Sequence, residues 1–140
     1  MAHEITINWI GDMAFDAKLP GGEITMDADE KVGGTGKGVR PKPLMLTALA
    51  GCTGMDVVSL MKKMRLKVDK FHVDVKADLT DEHPKHYENV EVHYYFYGND
   101  LNEEKLKKCV DLSYERYCGV IYMFKQFTEV TPVIHFNEEA

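Results

Sequence analysis

The sequence predicts an α+β domain, and three observations support this fold class. Apolar and polar residues alternate in short runs separated by turn residues, which is typical of strands with one buried face. A long stretch rich in Leu, Ala and Met, residues 40–65, has the composition of a helix. A second helical pattern lies between later strands, at residues 102–117, with Asn102 as its expected N-cap. The length of 140 residues fits a single domain, 1–140.

Three short antiparallel strands are predicted in the N-terminal part of the chain. The alternating apolar positions are Ile5, Ile7 and Trp9, then Phe15, Ala17 and Leu19, then Ile24, Met26 and Ala28. The glycine-rich segment 33–38 that follows is predicted to be a mobile loop. It is not a phosphate-binding loop, because Lys31 and Gly38 replace the glycine and the hydroxyl residue that this motif requires.

The long apolar stretch is predicted to be a helix that begins near Pro43 and ends near Arg65. Apolar residues lie on nearly all sides of it over residues 44–49, so we expect burial around its whole girth. Polar residues, among them Asp56, interrupt the stretch, and a charge at the centre of a bilayer costs about 2.5 kcal/mol or more. The pattern therefore favours a core helix over a membrane span.

A hairpin of two strands is predicted at residues 71–79 and 90–96, and a last strand at residues 130–136. Pro132 lacks a backbone N–H and places the last strand at an edge or a bulge. His83 and His86 lie in the polar hairpin connection. A metal site needs at least three convergent ligands, so we expect these histidines to be solvated.

Charge and cysteine content limit the classes of function. A net charge of −6 argues against a nucleic-acid partner and against an anionic membrane surface. The N-terminus lacks the basic start and apolar core of a signal peptide, so a cytoplasmic location is expected. The three cysteines are then expected to be free or redox-active. No Cys-x-x-Cys spacing occurs, and neither a metal nor another cofactor is predicted.

Cys52 and Asp56 lie one turn apart on one face of the long helix. Gly51 and Gly54 beside them leave room for another backbone or a small ligand. A buried, inert cysteine is the alternative interpretation, because cysteine is among the most buried residue types. The residues alone leave both interpretations open.

Two segments resemble the OsmC/Ohr family of thiol peroxidases, most closely a poorly characterised OsmC-like branch. PKPLMLTALAGCTGMDVVSLMKKM, residues 41–64, resembles the central helix of the family, and ERYCGV, residues 115–120, resembles its second-cysteine turn. The resemblance implies an OsmC-like fold in which antiparallel sheets wrap around a long buried central helix. It also implies an intertwined homodimer with two active sites at the interface.

The resemblance further implies that Cys52 attacks a peroxide and that Cys118 resolves the product, whereas Cys109 matches neither position. A thiolate attack yields a sulfenic acid, a second thiol converts it to a disulfide, and an external dithiol restores both thiols. Well-studied peroxidases of the family hold the thiolate with an arginine from the N-terminal strands and fix that arginine with a glutamate shortly before the first cysteine.

This chain has no arginine in those strands and has Lys42 and Pro43 at the position of the glutamate. Arg40 and Lys42 are therefore the candidate cations, while Asp56 disfavours a thiolate at Cys52 unless the carboxylate is itself paired. Two alternatives remain. One is a protein that binds an apolar small molecule in the dimer-interface pocket without turnover. The other treats Cys52 as a core residue and Cys118 as a helix cap.

Overall fold

The structure is a computed structural model that describes residues 1–139, and its chain divides into two compact units, with the boundary between Leu46 and Thr47. In the first unit, β1 (Thr6–Gly11), β2 (Ala14–Leu19) and β3 (Gly22–Met26) form an antiparallel sheet in that order. The three predicted N-terminal strands are confirmed. Turn residues separate them, and the buried positions of β2 are Ala14 and Ala17.

The glycine-rich loop of the first unit is organised around a buried carboxylate. Asp27 is 2% exposed, and its carboxylate accepts backbone N–H groups from Ala28, Thr35 and Lys37 at 2.8–3.0 Å. These bonds hold the pKa of Asp27 below its ordinary value. The sequence pattern predicts only a mobile loop here. The alternation of apolar and polar residues gives no sign that Asp27 binds the backbone of the loop.

Helix α1 (Pro41–Lys63) begins two residues before the predicted start and ends two before the predicted end. Its buried residues are Leu49, Thr53 and Val57, which follow each other at intervals of one turn and form a single stripe. Met55 on another side of the helix is 76% exposed. A single chain therefore buries one face of the helix, and burial around its whole girth stays a prediction for the homodimer that the family resemblance implies.

The second unit contains a sheet of β4 (Lys70–Leu79), β5 (Tyr87–Tyr97) and β6 (Val130–Phe136), in that order. The hairpin β4–β5 is antiparallel as predicted, but β5 and β6 are parallel. The prediction of antiparallel sheets is wrong for this pair. The connection from β5 to β6 contains helices, and such a crossover returns the chain to the end from which β5 started. Pro132 lies in edge strand β6, as predicted.

Two helices in the crossover cover the second sheet. Helix α2 (Glu103–Leu112) begins after Asn102, whose side chain accepts the N–H of Lys105, so the predicted N-cap is confirmed. A π-helical turn, Ser113–Tyr117, continues the helix, and α3 (Gly119–Lys125) follows. The large side chains that are fully buried in this unit include Tyr94, Phe96, Leu106 and Ile121.

Two further sequence predictions concern solvent and membrane. His83 and His86 are exposed in the hairpin connection, in agreement with the prediction. Among residues 1–139, α1 is the one helix whose length and composition would allow it to cross a membrane. Core helices of globular proteins share those properties, and the stripe through Thr53 packs inside the second unit.

Candidate functional site

The second unit brings together both cysteines that the family resemblance singled out. Cys52 and Asp56 extend from one face of α1, and Cys118 lies in the turn between α2 and α3. The sulfurs of Cys52 and Cys118 and a carboxylate oxygen of Asp56 all lie within 4.8 Å of one another. Neither cysteine is in a disulfide. We call these three residues the thiol–carboxylate cluster.

Cys118 is the buried member of the cluster, with 4% of its surface exposed. It is also the N-cap of α3, because its sulfur accepts the backbone N–H of Ile121 at 3.4 Å. Burial raises the pKa of Cys118 to about 12, and the nearby thiol of Cys52 adds to the shift. Cys118 therefore keeps its proton near neutral pH.

A chain of buried hydroxyl groups ends at the carboxylate of the cluster. The Oγ1 atom of Thr53 lies 2.7 Å from the hydroxyl of Tyr94 and 2.7 Å from the Oγ atom of Ser113. The hydroxyl of Ser113 donates to Asp56 at 2.9 Å. The hydroxyl of Ser113 has a single hydrogen, which it donates to Asp56, so Thr53 must be the donor in its bond with Ser113. Tyr94 must then donate to Thr53, so every hydroxyl in the chain points toward the carboxylate.

The hydroxyl at the far end of this chain belongs to a neutral phenol. Burial raises the pKa of Tyr94 to about 12. The nearby Cys118 and Asp56 also raise this pKa, whereas the hydrogen bond with Thr53 opposes the shift. Tyr94 therefore remains a hydrogen-bond donor throughout the physiological pH range.

The sequence analysis missed Thr53, Tyr94 and Ser113 as residues of the site. Thr53 follows Cys52 directly, and its position inside an apolar helix was a usable signal. Tyr94 and Ser113 lie 41 and 60 residues from Thr53 in the chain, and only the fold brings them to it.

Of the three predicted supporting residues, Asp56 is the one that the structure brings to the two sulfurs. Arg40 lies in the first unit, where its guanidinium is 3.9 Å from the carboxylate of Asp29 and donates to the carbonyl of Gly38. Lys42 also lies in the first unit, in the first turn of α1.

The hydrogen-bond partners that the structure shows for the cluster in the second unit are uncharged groups. They are a hydroxyl and a backbone amide, and no lysine or arginine is among those shown between residues 47 and 139. The third cysteine, Cys109, is buried elsewhere, with its sulfur 3.8 Å from that of Met64. Burial raises the pKa of Cys109.

An apolar groove runs along another side of α1 and has a volume of about 660 Å³. Its lining includes Gly51, Gly54 and Met55 from α1, together with Phe71 and Val73 from β4. None of the three cluster residues lines the groove. Met55 and Ser59 of the lining lie three residues after Cys52 and Asp56, so the groove borders the face of α1 that carries the cluster.

Comparison with known proteins identifies the family. A family model described as OsmC-like protein matches residues 34–132. The chain belongs to the OsmC-like family. It is 30% identical over 127 residues to Protein YhfA of Escherichia coli, with 89% of this chain and 91% of that protein covered.

Solved structures agree with the family and the fold. A hypothetical protein from Aquifex aeolicus is 31% identical to this OsmC-like protein, with a TM-score of 0.85 and 100% and 99% of the two chains covered. An organic hydroperoxide resistance protein from Elizabethkingia anophelis shares the fold at 17% identity, with a TM-score of 0.69 and coverage of 98% and 97%. The OsmC-like fold predicted from the resemblance is thus confirmed.

Proposed function

We propose that this protein is a cytoplasmic thiol-dependent redox protein that reduces organic hydroperoxides or hydrogen peroxide through Cys52. The observation that carries the proposal is the proximity of Cys52 and Cys118, two thiols from distant parts of the chain whose sulfurs lie within 4.8 Å of each other. Membership of the OsmC-like family supports it, and proteins of the same fold are named for organic hydroperoxide resistance.

In the first step the thiolate of Cys52 attacks the terminal oxygen of the hydroperoxide. The O–O bond breaks, a sulfenic acid forms on Cys52, and the alkoxide leaves as an alcohol after taking a proton. The sulfur of Cys118 then attacks the sulfenic sulfur, and a disulfide and one water molecule result. An external dithiol returns the disulfide to two thiols and is itself oxidised.

The unequal character of the two thiols supports these roles. Cys52 is half-buried and therefore open to a substrate, whereas Cys118 is buried and holds its proton tightly. The hydroxyl chain solvates the charge of Asp56, and this lowers the repulsion between the carboxylate and the attacking thiolate.

A homodimer is part of the proposal. Large apolar side chains remain exposed on a single chain, among them Trp9 at 67% and Met55 at 76%. Exposed apolar surface of this kind favours association. A second copy of the chain is the proposed partner, and no nucleic acid or membrane partner is proposed, in line with the net charge of −6.

The test oxidises the reduced protein with a slight excess of an organic hydroperoxide and maps the cysteines by mass spectrometry. We expect a Cys52–Cys118 disulfide in the wild type and peroxide consumption that disappears in Cys52→Ser. Cys109→Ala is the matched control, because it removes a buried thiol outside the cluster and should leave both results unchanged. Two unmodified thiols after treatment, or full consumption by Cys52→Ser, would disprove the mechanism.

The groove favours a second candidate function, the binding of an apolar small molecule without turnover. Small residues of α1 and aromatic and aliphatic residues of β4 line the groove, as expected of a site for an apolar ligand. Native mass spectrometry of the protein isolated from cells tests this function. A retained ligand that Val73→Asp displaces, together with no peroxide consumption, supports binding; no ligand and rapid consumption excludes it.

A further inference from the structure

The thiol–carboxylate cluster has the composition of a metal site. Cysteine thiolates and a carboxylate are anionic ligands, and thiolates select zinc over the harder magnesium and calcium ions. The cluster supplies all three donors from side chains whose ligand atoms already lie within 4.8 Å of one another. The sequence contains no Cys-x-x-Cys spacing and so predicts no metal, whereas Cys52 and Cys118 meet only in the fold.

We infer that Cys52, Cys118 and Asp56 form a binding site for a thiophilic divalent cation, for which Zn²⁺ is the natural occupant. In tetrahedral coordination with Zn–S bonds of about 2.3 Å and a Zn–O bond of about 2.0–2.2 Å, neighbouring donors lie about 3.5–3.8 Å apart. The donors of the cluster are within 4.8 Å of one another, so each needs to shift by less than about 1 Å to reach this geometry.

The charge of the ligand set suits a divalent cation. On binding, Zn²⁺ would displace the thiol protons, and its two positive charges would balance most of the three negative charges of two thiolates and a carboxylate. Three protein ligands leave the fourth tetrahedral position open to water or an anion, reached through the half-buried Cys52 and Asp56.

Contacts around the three ligands hold them in place. Ser113 donates to Asp56 at 2.9 Å and is itself held by Thr53, so the carboxylate that would bind the metal is fixed by an ordered hydroxyl. Ile121 donates its backbone N–H to the sulfur of Cys118. Such outer contacts orient metal ligands, and their loss weakens metal affinity by about 10–100-fold. Ser113 is therefore a positioning residue for this site.

The experiment uses the full chain, reduced with a phosphine, stripped of metal and titrated with Zn²⁺ against a chromophoric chelator. We expect one Zn²⁺ per chain. Cys52→Ser and Cys118→Ser should each weaken binding by about 100-fold or more, and Asp56→Asn and Ser113→Ala by about 10–100-fold. Cys109→Ala, the matched control, should bind as the wild type does. Titration with Co²⁺ should give sulfur-to-cobalt charge-transfer bands and the intense visible bands of tetrahedral cobalt.

Three results would overturn the inference: fewer than one half equivalent of Zn²⁺ bound, no charge-transfer bands, or binding that neither cysteine variant weakens. The last would indicate an adventitious ion only, held elsewhere on the surface. Cys52→Ser changes a half-buried side chain and keeps the test valid if Cys118→Ser fails to fold. The inference shares Cys52 and Cys118 with the proposed function, and the test separates the two because binding is measured on reduced protein without peroxide. The zinc titration and the peroxide assay are separate measurements, so they distinguish metal binding without turnover from turnover without metal binding.

Discussion

The substitution Thr53→Val tests the hydroxyl chain and the donor directions assigned to it. Valine has nearly the shape of threonine but no hydroxyl, and Thr53 is fully buried, so the change removes hydrogen bonds and leaves the packing volume almost unaltered. Tyr94 loses its acceptor and becomes a buried donor without a partner. Ser113 loses the bond that it accepts but still donates to Asp56.

The expected loss of stability follows from these two effects. An unsatisfied buried hydroxyl costs about 1–3 kcal/mol, and the lost bond to Ser113 adds about 1 kcal/mol. We therefore expect Thr53→Val to lower the free energy of unfolding by about 2–4 kcal/mol. Tyr94→Phe should cost only about 0.5–1.5 kcal/mol, because Thr53 still donates to Ser113 after the phenol hydroxyl is removed.

The assay is urea unfolding of the reduced protein, followed by fluorescence at one fixed protein concentration because association would contribute to stability. The double variant Thr53→Val/Tyr94→Phe removes the unsatisfied phenol hydroxyl, so its loss should fall short of the sum of the single losses by about 1 kcal/mol or more. Thr131→Val, the same change at an exposed position of β6, is the control and should stay within about 0.5 kcal/mol of the wild type. Two results would refute the assigned donor directions: a loss of unfolding free energy below about 0.5 kcal/mol for Thr53→Val, or losses that simply add in the double variant.

Two further predictions concern the first unit. Gly34→Ala should lower the free energy of unfolding by about 1–3 kcal/mol or more, because a Cβ atom at this position would overlap the carbonyl of Ala28. Gly22→Ala is the control, because a Cβ atom there meets nothing nearby. Equal thermal midpoints for the two variants would contradict the prediction. The depressed pKa of Asp27 contributes stability that is fully present above its unfolded-state pKa of 3.8 and is lost as the pH falls through the lower folded-state pKa. The stability difference between wild type and Asp27→Asn, measured from pH 7 to pH 2, should therefore shrink on acidification, and a constant difference would show that the carboxylate charge does not matter.

Much of the fold was predictable because its causes are local. Alternation predicted the strands, the two prolines before residue 44 predicted the start of α1, and Asn102 predicted the cap of α2. The parallel pairing of β6 was not predictable from alternation, which is the same for both pairing directions. A single chain buries one face of α1, and an apolar surface indicates that something covers the helix but does not show whether the same chain supplies the cover.

The sequence by itself determined the α+β class, the helix that carries Cys52 and Asp56, and the family resemblance that selected Cys118. These follow from the residue types and their spacing within single elements. Only the tertiary structure decided that Cys118 meets Cys52, that it keeps its proton, and that Asp56 receives a directed chain of hydroxyls from Tyr94. Such contacts depend on distances across the fold and on the low dielectric of a buried site, and neither quantity is present in the order of the residues.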